Sequence, residues 1–497
     1  METNIITSDL PQDFHRFLSK VDARGELTKS QRRIKNYRQT RLELARSRPN
    51  GLPTWMGTQG AHDDWQAKLP TWMSDQRNQM TGPADNEKLV VQLINSGSPG
   101  VMLDIEDSMA NNESSLIRAH RNIKEALLGK AYYYKTTKSG NSAQVRADPK
   151  KHNTVIFTRV RGLHLDQIYP SRIKSANRMS ASLFDLAMHF YDMNLEDLPH
   201  DPCIYIPKSE GAHEARWWKK AFTKIEKVKG WAPGTIKAMA LVESHPMAYE
   251  MEEFAYALQP HLVGLNLGRW DYMASLIDFM YYQDGWVFPD RNSIPSDIPF
   301  FQNLRHWMAH VCHKHGMLAI GGMSAMYPDR KNKKRDTLAR KKLKADKENE
   351  AACLMDGAWT GHPDQNEIAV NAFPHPNQLD KMPGLSALPD LREFDNTYPV
   401  TEEGTREAIR VCIQYRQAVI DGKGAKLING YMEDLATDRI YRIMIAQRID
   451  RGVHNELDLF KMFTEETAKL DKETGDDFTA GCRETMRLTI TRQFDPR

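Results

Sequence analysis

Short apolar runs that end in a polar residue or a glycine recur along the middle of the chain. The six clearest occupy residues 101–104, 155–159, 204–208, 239–243, 262–266 and 317–321. Such runs are typical of buried β-strands. Helical patterns fall between or near them, at residues 180–191, 214–228, 246–258 and 303–314. This alternation predicts parallel strands that are joined by helices.

The residues that close these runs favour a closed barrel over an open sheet. Asp104, Arg159, Lys208 and Glu243 each end an apolar run, and TIM barrels carry their chemistry at the carboxyl ends of several strands. An open dinucleotide-binding sheet needs a glycine-rich phosphate turn, and neither G-x-G-x-x-G nor G-x-x-x-x-G-K-[ST] occurs. We therefore predict an α/β fold, a TIM (β/α)8 barrel, although the seventh strand, 352–355, is weak and no eighth is recognisable.

Helical patterns flank the predicted barrel on both sides. Residues 1–95 show scattered helical periodicity and no strong strand, which indicates an N-terminal helical elaboration. Residues 96–385 form the predicted barrel domain, and residues 386–497 a C-terminal helical domain. In the latter, Thr401 precedes two acids and a helical apolar face, which is typical of a helix N-cap.

Composition narrows the class of protein. The chain has 497 residues and a net charge of +3, so a strongly basic nucleic-acid surface is not expected. No apolar run approaches membrane-spanning length and residues 1–4 do not resemble a secretory signal, which predicts a cytoplasmic protein with no membrane partner. The five cysteines are dispersed and contain no C-x-x-C, which predicts buried thiols rather than disulfides.

A basic segment at residues 330–347 contains ten lysines and arginines. It has two interpretations. It is either a solvated helix or a patch that steers an anionic ligand, such as a nucleotide-bearing thioester, towards its site. The sequence alone leaves both open.

Acidic residues at two neighbouring strand ends indicate one shared site. Glu243 closes an apolar strand, and Asp271 follows the next one, 28 residues later. Because parallel strands end at the same rim, these carboxylates are expected to converge. A carboxylate that closes an apolar strand is exposed at the barrel mouth, paired, or bound to a metal. The cluster formed by Asp104, Glu106 and Asp107 suits a hard cation such as Mg²⁺, which prefers oxygen ligands, although acid-rich turns without a function are also common.

Several segments together identify the chain as similar to malate synthases of the shorter form. The resemblance implies a TIM barrel with an N-terminal helical clasp and a C-terminal helical plug. It also implies the reaction of acetyl-CoA with glyoxylate and water to give malate and CoA, a step of the glyoxylate cycle. The segments that carry the resemblance are residues 103–108, 159–165, 180–185, 207–210, 263–272, 319–323 and 431–437.

The resemblance also implies roles for individual residues. Asp434 matches the base that removes a methyl proton from acetyl-CoA, and Arg159 matches the arginine that stabilises the enolate. Glu243 and Asp271 match the two Mg²⁺ ligands. These residue types suit the chemistry, because a carboxylate base needs the enolate charge to be met by a fixed cation.

Further residues are implied to hold the substrate and the metal-bound water. Asp104 and Glu106 are expected to orient Arg159 and metal-bound water. The peptide N–H groups from Gly268 through Arg269 and Trp270 to Asp271 are expected to receive the glyoxylate carboxylate. Arg161 is interpreted as structural.

The sequence departs from the family pattern at several places that do not include these chemical residues. Leu163 replaces a usual tryptophan, and segments 242–246 and 355–365 also differ. These changes leave three alternatives: a malate synthase, a related enzyme that condenses another acyl-CoA with another 2-oxo acid or cleaves a malyl-CoA-like thioester, and a catalytically silent binding protein. The sequence gives no oligomeric state.

Overall fold

The structure is a computed structural model that describes residues 10–48, 51–55, 57, 59–110, 112–136, 142–168, 178–324, 326–385, 387–392 and 398–494. The prediction that no secretory signal is present used residues 1–4, which lie outside the described residues. Residue 386, where the C-terminal domain was predicted to begin, also lies outside them. The division into three domains stays a prediction.

Eight parallel strands close into a barrel, which confirms the predicted TIM fold. Each strand pairs with the next along the chain, and the last closes on the first through Asn78 opposite Ala358. We number these strands β1 to β8: Asn78–Pro83, Gly100–Asp104, Val155–Arg159, Cys203–Ile206, Lys237–Val242, Leu262–Leu267, Leu318–Met323 and Gly357–Thr360.

Two strands differ from the prediction. The six clear runs match β2 to β7 within two residues at each end. The seventh candidate, 352–355, is wrong, because a helix continues to Ala352 and β8 begins only at Gly357. The barrel strand that the sequence analysis did not predict is β1, which lies within residues 1–95, the segment predicted to contain no strong strand.

Strand β1 contains no apolar run because it buries polar side chains on both of its faces. Gln79 faces the barrel interior, whereas Asn78 faces the outer helices and donates to Asn366 of α13 at 2.7 Å. The side-chain amide of Asn78 accepts a hydrogen bond from Thr360 Oγ1 at 3.0 Å. Gln79 accepts one from Trp359 Nε1, also at 3.0 Å. Hydrogen bonding makes this burial tolerable, so the strand has no apolar run to reveal it.

Seventeen helices surround and extend the barrel within the described residues. The predicted helices are confirmed, and the one at 246–258 is divided in two at Glu250. Numbered α1 to α17, they are Gln12–Val21, Glu26–Ser47, Gln59–His62, Glu87–Ile94, Glu113–Leu127, Ala181–Phe190, Ala212–Lys229, His245–Tyr249, Met251–Leu258, Arg269–Met280, Pro299–Lys314, Lys333–Ala352, Asn366–Ala372, Glu402–Ile420, Leu435–Asp450, Glu456–Thr474 and Thr479–Ile490.

Shorter elements lie outside the barrel wall. Within the described ranges, three antiparallel strand pairs join Tyr132–Thr136 with Ser142–Arg146, Asp166–Ile168 with Arg178–Ser180, and Lys426–Ile428 with Tyr431–Glu433. Single 3₁₀ turns occur at Ala23–Gly25, Thr71–Met73, Leu195–Asp197, Arg291–Ser293 and Pro363–Gln365.

The apolar core has two layers, as expected for a barrel. Alternate residues of one strand serve different layers: in β3, Phe157 packs inside the barrel, whereas Ile156 packs against the surrounding helices. All five cysteines are free thiols, four of them buried, as predicted. None of the helices in the described ranges is long and apolar enough to cross a membrane.

A buried arginine fastens the C-terminal helices to the barrel. Arg448 of α15 donates to Thr401 O and Thr405 Oγ1, at 3.1 and 2.7 Å, and so holds the start of α14. It also donates to Phe288 O at 3.2 Å and to Asp290 Oδ1 at 2.8 Å, in the segment that follows α10. Thr401 caps α14 as predicted, by accepting from the Gly404 N–H.

Removing this arginine is expected to destabilise the protein strongly. Arg448→Met leaves the Asp290 carboxylate without its charge partner, and breaking a buried pair costs roughly 3–5 kcal/mol. Urea unfolding measures the loss. Arg487→Met is the matched control, because Arg487 forms an exposed pair with Glu484 that is worth at most about 1 kcal/mol. Equal losses in the two variants would contradict this view of Arg448.

Candidate active site

The ends of β2 and β3 form one ion pair. Asp104 and Arg159 lie opposite each other in register, and Arg159 binds Asp104 through two hydrogen bonds of 2.6 Å. Glu106 lies 3.6 Å from the same guanidinium. Burial alone would lower the pKa of Arg159, but Asp104 outweighs it and the pKa is raised well above its ordinary value. The guanidinium is therefore held charged and in a fixed orientation.

Lys208, just after β4, stands at the centre of the acidic residues. Its Nζ lies 2.5 Å from Asp107 and 2.6 Å from Asp271, and 3.7 Å from both Glu106 and Glu243. Its backbone N–H also donates to Glu243 Oε1 at 2.5 Å. Lys208 has a φ of 51°, in the left-handed region that non-glycine residues rarely adopt. Such strain often marks a functional site.

Negative charge exceeds positive charge in this cluster. We define the carboxylate cluster by its acids: Asp104, Glu106, Asp107, Glu243, Asp271 and Asp434. The described cations that contact or face them are Arg159, Lys208 and Arg439, the last of which lies 3.5 Å from Asp271.

Burial and the neighbouring carboxylates raise two pKa values in this cluster. Burial, opposed by Lys208 and supported by Asp271, raises the pKa of Glu243 to about 7. Desolvation, together with Asp107 and Asp271, raises the pKa of Asp434 to about 7. The cluster therefore favours any additional cation.

The donor set fits a divalent metal such as Mg²⁺. Glu243 and Asp271 approach the same ammonium group, as predicted for carboxylates that converge from neighbouring strands. A preassembled set of three or more His, Cys, Asp or Glu ligands is not found among the described residues. Mg²⁺ does not require one, because it commonly binds one or two carboxylates and keeps several waters. Glu243 and Asp271 are the residues that would hold it.

Gly268 permits the close approach of β5 and β6 at this rim. A Cβ at Gly268 would lie only 2.7 Å from both Cβ and Oε2 of Glu243. Helix α10 begins directly afterwards, at Arg269, and the first N–H groups of a helix are available to an anion. Any larger residue at position 268 would displace Glu243.

The side chains of Arg269 and Trp270, at the start of α10, are held by contacts outside the carboxylate cluster. The Arg269 guanidinium binds Asp346 of α12, with contacts of 3.0 and 3.1 Å, and donates to Met323 O at the end of β7 at 3.3 Å. Arg291 lies 4.4 Å over the Trp270 ring, and Arg269 lies 4.9 Å from it. Trp270 is thereby fixed as part of the cavity wall.

Asp434 reaches the cluster from the C-terminal region. It follows the strand Tyr431–Glu433 and caps α15, with Oδ1 accepting from the Ala436 N–H at 3.0 Å. The preceding Glu433 accepts from Arg291 at 3.2 Å and from Thr437 Oγ1 at 2.6 Å. The backbone N–H of Tyr327, after β7, donates to Gly430 O at 3.0 Å. These contacts hold the hairpin over the mouth of the barrel.

A cavity of about 970 Å³, the main cavity, opens onto the cluster. Its inner end is lined by Arg159, Glu243, Asp271 and Asp434, and by the rings of Trp270 and Trp359. The outer arm runs past the end of β1 and residues 361–364. Its length suits an extended ligand that buries one end at the cluster.

The basic segment 330–347 divides between two environments. Arg330 lines the outer arm of the main cavity and pairs with Asp364 at 2.5 Å. Lys347 is fully buried and binds Glu350 at 3.0 Å and Gly322 O at 2.6 Å. Lys341 and Lys344 lie on the exposed face of α12. The solvated-helix interpretation therefore describes only part of this segment.

Comparison with known proteins decides the family. The domain models "Malate synthase, TIM barrel domain" and "Malate synthase, C-terminal" match residues 155–389 and 399–489. Malate synthase A of Escherichia coli K12 is 36% identical over 78% of this chain and 72% of its own. Malate synthase of Myxococcus xanthus is 34% identical over 86% of this chain and 80% of its own. The chain belongs to the malate synthase family.

This family member is accordingly an enzyme, an acyltransferase. A solved structure of Haloferax volcanii malate synthase, in a ternary complex with pyruvate and acetyl-CoA, shares the fold. It has a TM-score of 0.50 and 16% sequence identity, and covers 83% of this chain and 98% of that one. At this identity the likeness concerns the fold alone.

Sequence reasoning gave no specific role to two cations at the carboxylate cluster, Lys208 and Arg439, and offered Asp107 only as a further acid of a cation site. Lys208 and Asp107 lie just after apolar runs, and this position is the only sequence signal that they reach the rim. No sequence pattern predicts that the Lys208 ammonium lies among four carboxylates. Arg439 gave no signal, because it lies within a helix that is distant in sequence from Asp271. Arg161 is structural as predicted, since it binds Asp185 at 2.7 Å.

The raised pKa of Glu243 predicts a pH-dependent stability of the metal-free protein. A carboxyl group with a raised pKa in the folded chain contributes stability that is complete at low pH and is lost as the pH rises through its folded value of about 7. Thermal unfolding with a chelator should therefore show the Tm of Glu243→Gln increasing relative to wild type from about pH 5 to about pH 8.

Saturating Mg²⁺ should reduce this difference, because the ion stabilises the ionised carboxylate of the wild type. Glu348→Gln on the exposed face of α12 is the control and should follow the wild type throughout. Parallel curves for Glu243→Gln and wild type would contradict the raised pKa.

Proposed function

We propose that this chain is a Mg²⁺-dependent malate synthase that condenses acetyl-CoA with glyoxylate and hydrolyses the thioester to malate and CoA. One observation carries the proposal: Asp434, Arg159, Glu243 and Asp271 all line the inner end of the same cavity. Family membership supports the acyl transfer. The predicted cytoplasmic location stays a prediction.

Asp434 is suited to remove the methyl proton of acetyl-CoA. Its pKa of about 7 makes it a stronger base than an ordinary aspartate, while it is still largely ionised at slightly alkaline pH. Its carboxylate is oriented by the Ala436 N–H, which leaves oxygen lone pairs for the substrate. We infer that Asp434 is the catalytic base.

Arg159 is suited to hold the enolate oxygen that this proton transfer produces. A guanidinium that is charged at every relevant pH does not lose its proton to the enolate. Asp104 fixes its orientation through two hydrogen bonds, so little reorganisation is needed when the negative charge develops. Asp104 and the nearby Glu106 are thus positioning residues.

Glu243 and Asp271 are proposed to hold Mg²⁺, which when bound acts as a Lewis acid towards the aldehyde oxygen of glyoxylate. The glyoxylate carboxylate is proposed to meet the N–H groups at the start of α10, from Arg269 to Asp271, where the helix dipole favours an anion. The Gly268 N–H, which was also predicted to take part, already donates to Val242 O at 3.1 Å. Both ends of the small substrate would then be fixed beside Arg159 and Asp434.

Leu163, which replaces the usual tryptophan of the family, does not make room for a 2-oxo acid larger than glyoxylate. Leu163 is buried away from the residues that line the main cavity, and its carbonyl accepts from Gln31 of α2 at 2.8 Å. The inner wall keeps the large rings of Trp270 and Trp359. Glyoxylate, the smallest 2-oxo acid, is therefore the acceptor that the geometry supports best.

The variant Asp434→Asn is expected to lose turnover by at least about a hundredfold, because a positioned general base contributes 10²–10⁴ in rate. Mg²⁺ and acetyl-CoA binding, measured by calorimetry, should stay close to wild type. Asp438→Asn is not a suitable control, since Asp438 binds Arg416 and Arg442 in the core. The exposed Asp458→Asn should be fully active. Near-normal turnover in Asp434→Asn would remove Asp434 from the mechanism.

The variant Glu243→Ala is expected to raise the Mg²⁺ concentration for half-maximal activity at least tenfold, because one of two proposed protein ligands is lost. The exposed Glu348→Ala serves as control. An unchanged Mg²⁺ dependence would count against the metal assignment.

Thiol release tests the whole reaction. The purified protein with Mg²⁺, acetyl-CoA and glyoxylate should release CoA, and a chelator should stop the release. Parallel reactions with pyruvate, 2-oxobutyrate and propionyl-CoA examine other substrates. Release only with another pair would keep the mechanism and change the substrate, whereas no release in any arm, together with cleavage of malyl-CoA, would indicate a lyase.

A further inference from the structure

Arg291 is a buried cation that contacts two parts of the candidate site. It lies in the 3₁₀ turn Arg291–Ser293, between α10 and α11, and its side chain is 5% exposed. Its Nη1 donates at 3.2 Å to Oε1 of Glu433, the residue before Asp434. Its guanidinium also lies 4.4 Å from the centre of the Trp270 ring, in the wall of the main cavity. One side chain thus contacts both the cavity wall and the hairpin that leads to Asp434.

The backbone of Arg291 is fixed by its neighbour in the chain. The N–H of Asp290 donates to Pro399 O at 2.8 Å, and the Asp290 carboxylate accepts from Arg448 at 2.8 Å. Thr401 Oγ1 donates to the same carboxylate at 2.6 Å. Arg291 therefore extends from a segment that is held at several points.

Two aromatic rings hold the guanidinium of Arg291 in place. It lies over the Trp270 ring and 5.3 Å from the centre of the Tyr441 ring, and Nη1 also donates to Tyr441 Oη at 3.3 Å. A planar guanidinium stacks on aromatic faces and is preorganised for its hydrogen bonds. Burial alone would lower the pKa of Arg291, but Glu433 outweighs it and the pKa is raised. The group is therefore charged and fixed in orientation.

A second arginine lies over the same ring and has a different carboxylate partner. The Arg269 guanidinium is 4.9 Å from the centre of the Trp270 ring, and its positive charge opposes that of Arg291. Asp346 binds Arg269 at 3.0 Å, whereas Glu433 binds Arg291. Because an unpaired buried charge is costly, this arrangement favours one position of the Glu433 carboxylate.

Glu433 passes this restraint on to Asp434. One of its carboxylate oxygens accepts from Arg291, and the other accepts from Thr437 Oγ1 at 2.6 Å. Asp434 lies between Glu433 and Thr437 in the chain and caps α15. Thr437 and Tyr441 are one turn apart on the same face of α15. The end of the hairpin and the start of the helix are therefore both fixed to one guanidinium.

This contact sets the spacing between two separate parts of the site. Asp434 caps α15 in the C-terminal region, whereas Asp271 lies in α10 at the rim of the barrel. Trp270 directly precedes Asp271, and Glu433 directly precedes Asp434. Arg291 contacts both of these preceding residues. Such spacing matters for catalysis, because a misplacement of about 1 Å can lower a rate by about a hundredfold.

We propose that Arg291 is a positioning residue that holds the Asp434 carboxylate at its working distance from the barrel rim, through Glu433 on one side and Trp270 on the other. This inference rests on the proposed function and deepens it. Arg291 is absent from the described lining of the main cavity, so it acts through these neighbours. Its loss should slow proton removal without weakening thioester binding.

Steady-state kinetics of Arg291→Met test the inference. With Mg²⁺, acetyl-CoA and glyoxylate, kcat should fall at least about tenfold, while the KM for acetyl-CoA stays within about twofold of wild type. Arg291→Lys keeps a cation beside Glu433 but loses the planar guanidinium, so its kcat should lie between those of wild type and Arg291→Met. If Arg291→Met does not fold, Arg291→Lys and Glu433→Gln replace it, and each should lower kcat at least about threefold.

A second background separates positioning from a general loss of structure. In Asp434→Asn, which lacks the base, Arg291→Met should change the residual turnover by less than about twofold, because no base is left to position. A merely structural role would lower turnover by the same factor in both backgrounds.

Arg442→Met is the matched control. Arg442 is a fully buried arginine of α15 that binds Asp438 at 2.7 Å and the carbonyls of residues 493 and 494. Its loss removes a buried guanidinium from the helix that Asp434 caps, at a distance from Glu433 and Trp270. The kcat of this variant should stay within about threefold of wild type.

Two results overturn the inference while leaving the proposed function intact. One is an equal loss from Arg291→Met in the wild-type and Asp434→Asn backgrounds, and the other is a kcat for Arg291→Met that is no lower than that of Arg442→Met. A wild-type protein that releases no CoA, or an Asp434→Asn variant with near-normal turnover, fails the proposed function itself. The two failures are distinct, because the second is observed without any change at Arg291.

Discussion

Buried carboxylates outnumber buried cations at the carboxyl rim of the barrel, and the rest of this structure depends on that excess of negative charge. Parallel strands all end at one rim, so the residues that follow β2, β4, β5 and β6 are brought together whatever their charge. Here they include more carboxylates than cations. Lys208 contacts four of these carboxylates, at the cost of a left-handed backbone, and Glu243 and Asp434 still have raised pKa values. A site of this kind favours the binding of a further cation.

The C-terminal helices and helix α2 enclose that rim. The C-terminal helices carry Asp434 to it on a short hairpin, and the buried Arg448 fastens those helices to the segment after α10. Helix α2 packs against the barrel through ion pairs, in which Arg38 binds Glu214 and Arg46 binds Asp278. The negative cluster thus lies at the inner end of one long cavity whose length suits a thioester.

Much of this arrangement is predictable from sequence, and the exceptions have physical reasons. Apolar strands are recognisable from the sequence, and polar residues directly after them are expected at the rim. Glu243 and Asp271 were predicted to lie close together for this reason. Strand β1 was missed because Asn78 and Gln79 are buried, one outside and one inside the barrel wall, and are satisfied by hydrogen bonds rather than by apolar contacts. The central position of Lys208 depends on tertiary geometry, to which no local pattern corresponds.

The direct test of the account is to locate the proposed Mg²⁺ site. Anomalous diffraction from crystals grown with Mn²⁺ and glyoxylate would show where a divalent ion binds. The account predicts one strong peak in contact with the carboxylates of Glu243 and Asp271, with the Lys208 ammonium displaced from Asp271. Absence of a peak at this rim, with Lys208 still bridging Asp107 and Asp271, would contradict it.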